Sequence, residues 1–81
     1  MLKPAPEKLR ELRTHYTKGS RVRLLHMDDP YRPDLKAGAM GTVMGVDDAG
    51  NILVHWDCGS SLSVLYGVDA CTVVEGRKQN D

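Results

Sequence analysis

The stretch GTVMGVDDAGNILVHWDCG, residues 41–59, decides the fold. Residues 40–46 and 51–57 alternate apolar with small or polar side chains, which is the period of a strand. Between them Asp47-Asp48-Ala49-Gly50-Asn51 makes a tight hairpin turn, with Gly50 free to take a positive φ. In the second run Ile52, Val54 and Trp56 share one face, and Leu53 and His55 share the other. The run ends Trp56-Asp57-Cys58-Gly59, which reads either as a chemical site or as the end of a strand. Trp56 keeps company with Ile52 and Val54, so it is expected inside, with Asp57 opening the next turn by accepting from that turn's own amides.

The same period marks three more strands. Residues 20–26 set Val22 and Leu24 against Arg21 and Arg23, residues 61–66 pair Leu62 with Val64, and residues 71–75 make a short last strand. Residues 4–17 read as a helix. Pro4 and Pro6 suit its first turn, Glu7 sits near the positive end of its dipole, and Gly19 is a good stop. Ala5, Leu9, Leu12 and Tyr16 form one narrow apolar stripe, too thin for a free-standing helix, so it should dock through Leu9, Leu12 and Tyr16. One long loop (27–38), two tight hairpins and a single 3₁₀ turn at Tyr66–Ala70 give the element order of an SH3-like barrel, with an OB-type barrel as the alternative.

The expected fold is therefore mainly β. A helix at 1–18 packs on a small five-stranded SH3-like barrel at 19–75, followed by a polar tail at 76–81. Its interior holds Val22, Leu24, Val43, Ile52, Val54, Trp56, Leu62 and Val64. Gly41 and Gly45 mark places where strand two must bend.

The 81 residues carry no net formal charge, but the charge is split. Residues 1–24 hold seven lysines and arginines against two glutamates, for +5, whereas residues 25–81 hold four basic against nine acidic groups, for −5. The halves can attract one another, or the basic half can face an anionic partner. Two cysteines 13 positions apart form neither a disulfide framework nor a C-x-x-C motif, so both thiols are expected free in a reducing compartment. The charged start has no apolar core, so no signal peptide is expected, and no run has the length of a membrane span.

Candidate chemistry is sparse. His26, His55, Cys58 and Cys71 are zinc-ligand types, but only His55-x-x-Cys58 has short spacing, so no metal and no cofactor are expected. His55, Asp57 and Cys58 are near neighbours on one hairpin and do not converge as a triad, there is no phosphate loop, and the chain is short for an enclosed pocket. It is expected not to be an enzyme, and a small-molecule site would need an oligomer. Two binding surfaces remain. The acidic loop offers Asp28, Asp29, Tyr31 and Asp34, extended by Tyr66 and Asp69, to a protein partner. Arg10, Arg13, Arg21 and Arg23 offer a basic surface to nucleic acid, although the balanced charge lacks the basic signature of such proteins.

The residues RVRLLHMDDPY (21–31) and GTVMGVDDAGNILVHWDCGSSLSVLYGVDAC (41–71), with the lead-in from Leu12 to Tyr16, resemble an uncharacterised small-domain family. It is known only as a domain of unknown function, common in phages and conjugative elements of Gram-positive bacteria. The resemblance covers about residues 9–75 and departs in the loop segment DLKAGAM. It implies a mobile-element origin and the cytoplasm of a bacterial host, and no activity. Residues 41–59 are more weakly similar to SH3-like domains of ubiquitin-ligase scaffolds, which bind peptides. The expected function is a non-enzymatic module binding a protein of the host or mobile element, in its specialised form an inhibitor of a bacterial defence protein. The alternative is a nucleic-acid-binding barrel.

Overall fold

The computed structural model describes residues 3–27 and 35–74. One helix, α1 (Pro6–His15), precedes four strands: β1 (Arg21–His26), β2 (Met40–Val46), β3 (Ile52–Trp56) and β4 (Ala70–Val73). The strands are antiparallel and lie in the order β3-β2-β1-β4. Each falls on a run of alternating side chains, and the alternation becomes burial. In β3, Ile52, Val54 and Trp56 are buried while Leu53 and His55 are exposed. The core joins these three to Val22, Leu24, Leu35, Val43, Val64 and Cys71, with Tyr16 and Leu62 half-buried against them. Trp56 is its largest fully buried side chain.

The sheet is open, which overturns the expected five-stranded barrel. The run at 61–66 is not a strand. It touches β3 through one antiparallel bridge, Val64 with Ile52, where each N–H donates to the other's carbonyl at 2.8–2.9 Å. Further back, the Trp56 N–H donates to the Ser60 carbonyl at 2.7 Å. Between these two anchors Leu62 would have to pair with Val54 to continue a ladder. Its carbonyl accepts the indole Nε1–H of Trp56 at 2.8 Å instead. The indole thus meets the carbonyl that a ladder would have turned to Val54, and the segment is a cover over the core. After Val64 the Leu65 carbonyl accepts from both Val68 and Asp69, at 3.1 and 2.9 Å. That turn stands where a single 3₁₀ turn was expected, and it carries the chain to β4 on the far side of the sheet. Closure would require 61–66 to bridge β3 and β4, and it reaches only β3.

The helix is shorter than the 4–17 expected. Ala5 is its N-cap, Pro6 opens it, and it closes at Tyr16, whose N–H donates to the Leu12 carbonyl at 2.8 Å. Gly19, at φ 94°, serves the turn into β1 rather than the helix end. No residue of α1 is buried, so the helix depends on a few ties to the sheet. Both bulges lie in the sheet's middle strands, one between Leu24 and His26 and the other between Val43 and Gly45. Gly41 is needed for proximity: a Cβ there would lie 2.6 Å from Val54 Cγ1 and 2.8 Å from Trp56 Cε3. No helix among the described residues is long and apolar enough to cross a membrane.

Candidate functional site

The β2–β3 turn is the hub that positions the candidate site. Asp47 folds it, its Oδ1 accepting from the Ala49 and Asn51 N–H groups at 3.0 and 2.9 Å. Gly50, at φ 85°, completes it and lies under Pro4, whose Cγ would be 2.7 Å from any Cβ added there. The side chain of Asn51 links the turn outward: its Nδ2 donates to Asp47 Oδ2 at 3.2 Å and its Oδ1 accepts the Tyr66 N–H at 2.9 Å. Arg13 of α1 closes on the other side, donating to Asp48 Oδ1 at 2.7 Å and to the Val46 carbonyl at 3.4 Å. One hairpin therefore fixes both the helix and the 65–69 turn.

Between those two elements runs a groove of about 180 Å³. Leu12 and Tyr16 line one wall, Val64, Tyr66 and Asp69 the other, and Cys71 lies within it. Tyr16 ties the groove to the sheet, its hydroxyl donating to the Cys71 carbonyl at 3.2 Å. Burial, and then the nearby Cys71, raises the Tyr16 phenol above its ordinary range. Burial pushes the Cys71 thiol up to about 11, so the thiolate is scarce at neutral pH and the sulfur is a poor nucleophile. Asp69 is committed to the turn, where its Oδ2 accepts the Leu65 N–H at 3.0 Å. The rim is apolar and open to water, with Leu65 45% and Val68 48% exposed. The groove is smaller than the ~300 Å³ at which small-molecule pockets begin, and suits one or two side chains of a larger partner. A roomier hollow follows Glu7, Arg10, Glu11, Thr14 and His15, all from the one helix, so no second described element encloses it.

The two candidate surfaces fare differently. Of the protein-binding set, Tyr66 and Asp69 come together in the groove, whereas Asp28, Asp29, Tyr31 and Asp34 lie outside the described residues. The basic set is dispersed. Arg13 is held by Asp48. Arg21 makes a two-pronged pair with Asp57, Nη1 to Oδ1 at 2.9 Å and Nη2 to Oδ2 at 2.5 Å, and also donates to Thr42 Oγ1 at 2.9 Å. Those hydrogen bonds hold the Asp57 carboxyl below the usual carboxylate range. Arg10 and Arg23 are exposed, on α1 and β1. The split charge of the sequence is thus partly resolved inside the molecule, by two pairs joining the basic half to the acidic half.

Asp57 serves the sheet through Arg21 rather than accepting from its own turn's amides as expected, and that turn is closed by the Gly59 N–H donating to the Trp56 carbonyl at 2.9 Å. Trp56 is architecture: fully buried, with its indole N–H satisfied by the Leu62 carbonyl. Among the described residues no three His, Cys, Asp or Glu side chains gather as metal ligands. Cys58 is exposed and Cys71 buried, and neither is in a disulfide. Sequence reading used Tyr16 only as a docking residue and passed over Leu65 and Val68. The signal available was the unusual Leu-Tyr-Gly-Val run, apolar at a turn where polar residues are the rule.

A protein-family model described as a domain of unknown function, DUF4314, matches residues 5–74. No curated protein and no solved structure matches the chain.

Proposed function

The chain belongs to DUF4314, a domain of unknown function, and on that premise we propose that it is a non-enzymatic module that binds a protein partner through the groove between α1 and the 65–69 turn. The observation that carries this is the rim of exposed Leu65 and Val68 beside half-buried Tyr66, held in place by Asn51 and Asp69 rather than by its own burial. Exposed apolar side chains clustered on a braced turn are costly in water unless something covers them. The groove's lining includes one carboxylate, Asp69, and no basic group, so the proposed occupant is an extended segment offering an aliphatic stem with a cationic end, a lysine or arginine. The acidic excess of residues 25–81 favours the same sign of partner. The mobile-element setting that the resemblance implies would put the partner in the cytoplasm of a bacterial host, and a defence protein is the specialised form of the proposal.

The nucleic-acid alternative gains less support, since Arg13 and Arg21 are already paired with aspartates. Two measurements separate the readings. A partner retained from bacterial lysate by the intact chain should be identified, purified and titrated against the wild type, Tyr66→Ala and Leu65→Asp. Binding by the wild type and a loss of at least tenfold in both variants are expected. In parallel, a fluorescent oligonucleotide should show no salt-dependent binding. Oligonucleotide binding that weakens steeply with salt and vanishes in the Arg21→Glu, Arg23→Glu double variant would overturn the protein reading.

A further inference from the structure

An open sheet has two edges, and this chain treats them differently. Along β3 the following segment returns and pairs at Trp56 and at Ile52. Along β4 the register shows which groups remain. The Val74 N–H donates to the Arg21 carbonyl at 3.0 Å, and Thr72 is the Cα partner of Arg23. Antiparallel pairing alternates, so Thr72 and Val74 turn their amides toward β1. Cys71 and Val73 turn theirs to the free side. Among the described residues two hydroxyls meet them there, Tyr16 donating to the Cys71 carbonyl at 3.2 Å and Thr72 donating to its neighbour Val73's carbonyl at a long 3.5 Å, while neither amide has a partner. A carbonyl has a second lone pair, so each of those acceptors is only half used.

Edge strands in soluble proteins are ordinarily blunted by a lysine, a proline or a bulge in the edge strand itself. Ala70-Cys71-Thr72-Val73 has no charge and no proline, and its own backbone runs without an extra residue, the bulge beside it lying in β1. We propose that this edge joins the same edge of a second copy, antiparallel, about a two-fold axis through Thr72. The pattern is self-complementary. Cys71 and Val73 flank Thr72 symmetrically, so Cys71 exchanges N–H···O=C bonds with Val73 of the partner subunit, and Val73 exchanges them with Cys71 of the partner subunit. The two Thr72 side chains then oppose each other at a non-hydrogen-bonded position, where threonine pairs are favourable. Zero net formal charge leaves no long-range repulsion between copies. The result is one continuous eight-stranded sheet with an isologous interface.

Sedimentation equilibrium of the full chain over a concentration series tests this, beside Val73→Pro and Thr72→Lys. The wild type is expected to move from the mass of one chain toward two as concentration rises. Val73→Pro removes a donor that faces the free side and leaves the β1–β4 ladder intact, so it should stay at the one-chain mass with an unchanged far-UV spectrum. Thr72→Lys opposes two ammonium groups at the axis and should also stay single, recovering association in high salt. If the proline variant does not fold, the lysine variant decides. A wild type that remains single throughout, or a dimer that both variants form equally well, would overturn the proposal.

Discussion

Trp56→Ala is expected to strip the chain of a large share of its folding stability. The indole is the largest fully buried side chain, and aromatic-to-alanine changes in a core cost about 3–5 kcal/mol. A domain of this length has roughly 4–12 kcal/mol to lose, at about 0.05–0.15 kcal/mol per residue. The loss is wider than a cavity. Trp56 Nε1 is the donor that holds the Leu62 carbonyl, so its removal also frees the segment that covers β3. Trp56→Phe separates the two contributions, because it keeps most of the apolar volume and deletes the donor. It should fold, with a smaller loss of about 1–2 kcal/mol. Urea denaturation followed by far-UV circular dichroism measures both. An alanine variant within about 1 kcal/mol of the wild type would show that the indole does not organise the core.

The second large effect is expected at Gly41. Replacing glycine by alanine in a compatible backbone usually stabilises, by about 0.4–1 kcal/mol, because the unfolded chain loses freedom. Here the sign should reverse. The new methyl would lie 2.6 Å from Val54 Cγ1, 2.8 Å from Trp56 Cε3 and 3.0 Å from the His55 carbonyl, and that last neighbour is backbone in the adjoining strand. Overpacking of this kind costs about 1–3 kcal/mol. The effect should depend on the indole: in a Gly41→Ala, Trp56→Leu double variant the methyl has room, and the loss should be smaller than the two single losses added together. Urea midpoints of the wild type, both single variants and the double variant give that coupling. A midpoint raised by Gly41→Ala alone would mean that the glycine is not there to admit the indole.

Much of the fold was legible because period-two patterning reports burial directly. Ile52, Val54 and Trp56 alternate with Leu53 and His55 in the sequence and alternate between core and solvent in the structure. The same pattern misled at 61–66. Leu62 and Val64 do face the core, but facing a core does not require a ladder: the Leu62 carbonyl accepts the Trp56 indole instead of a strand amide. Patterning cannot show where a carbonyl's partner lies. Nor could it show that Arg21 and Asp57, 36 positions apart, meet across two strands, since that depends on the registers of β1, β2 and β3 together. The groove was half legible for a similar reason. Tyr66 and Asp69 stand out in sequence, while Leu12 and Tyr16 join them only because Arg13, Pro4 and the β2–β3 turn set the helix beside them. Leu35 went unnoticed because an isolated leucine in a long loop has no period to betray it.

Everything above depends on 60–64 being a cover anchored at two points, with the sheet left open. Amide hydrogen exchange read residue by residue by NMR tests that most directly. The open sheet predicts a slow Val64 amide between fast amides at Ser61, Leu62 and Ser63, with Ile52 and Trp56 also slow. Slow exchange at Leu62 together with Ser61 and Ser63 would mean that both sides of the segment are paired, as a closed barrel requires, and would contradict the account.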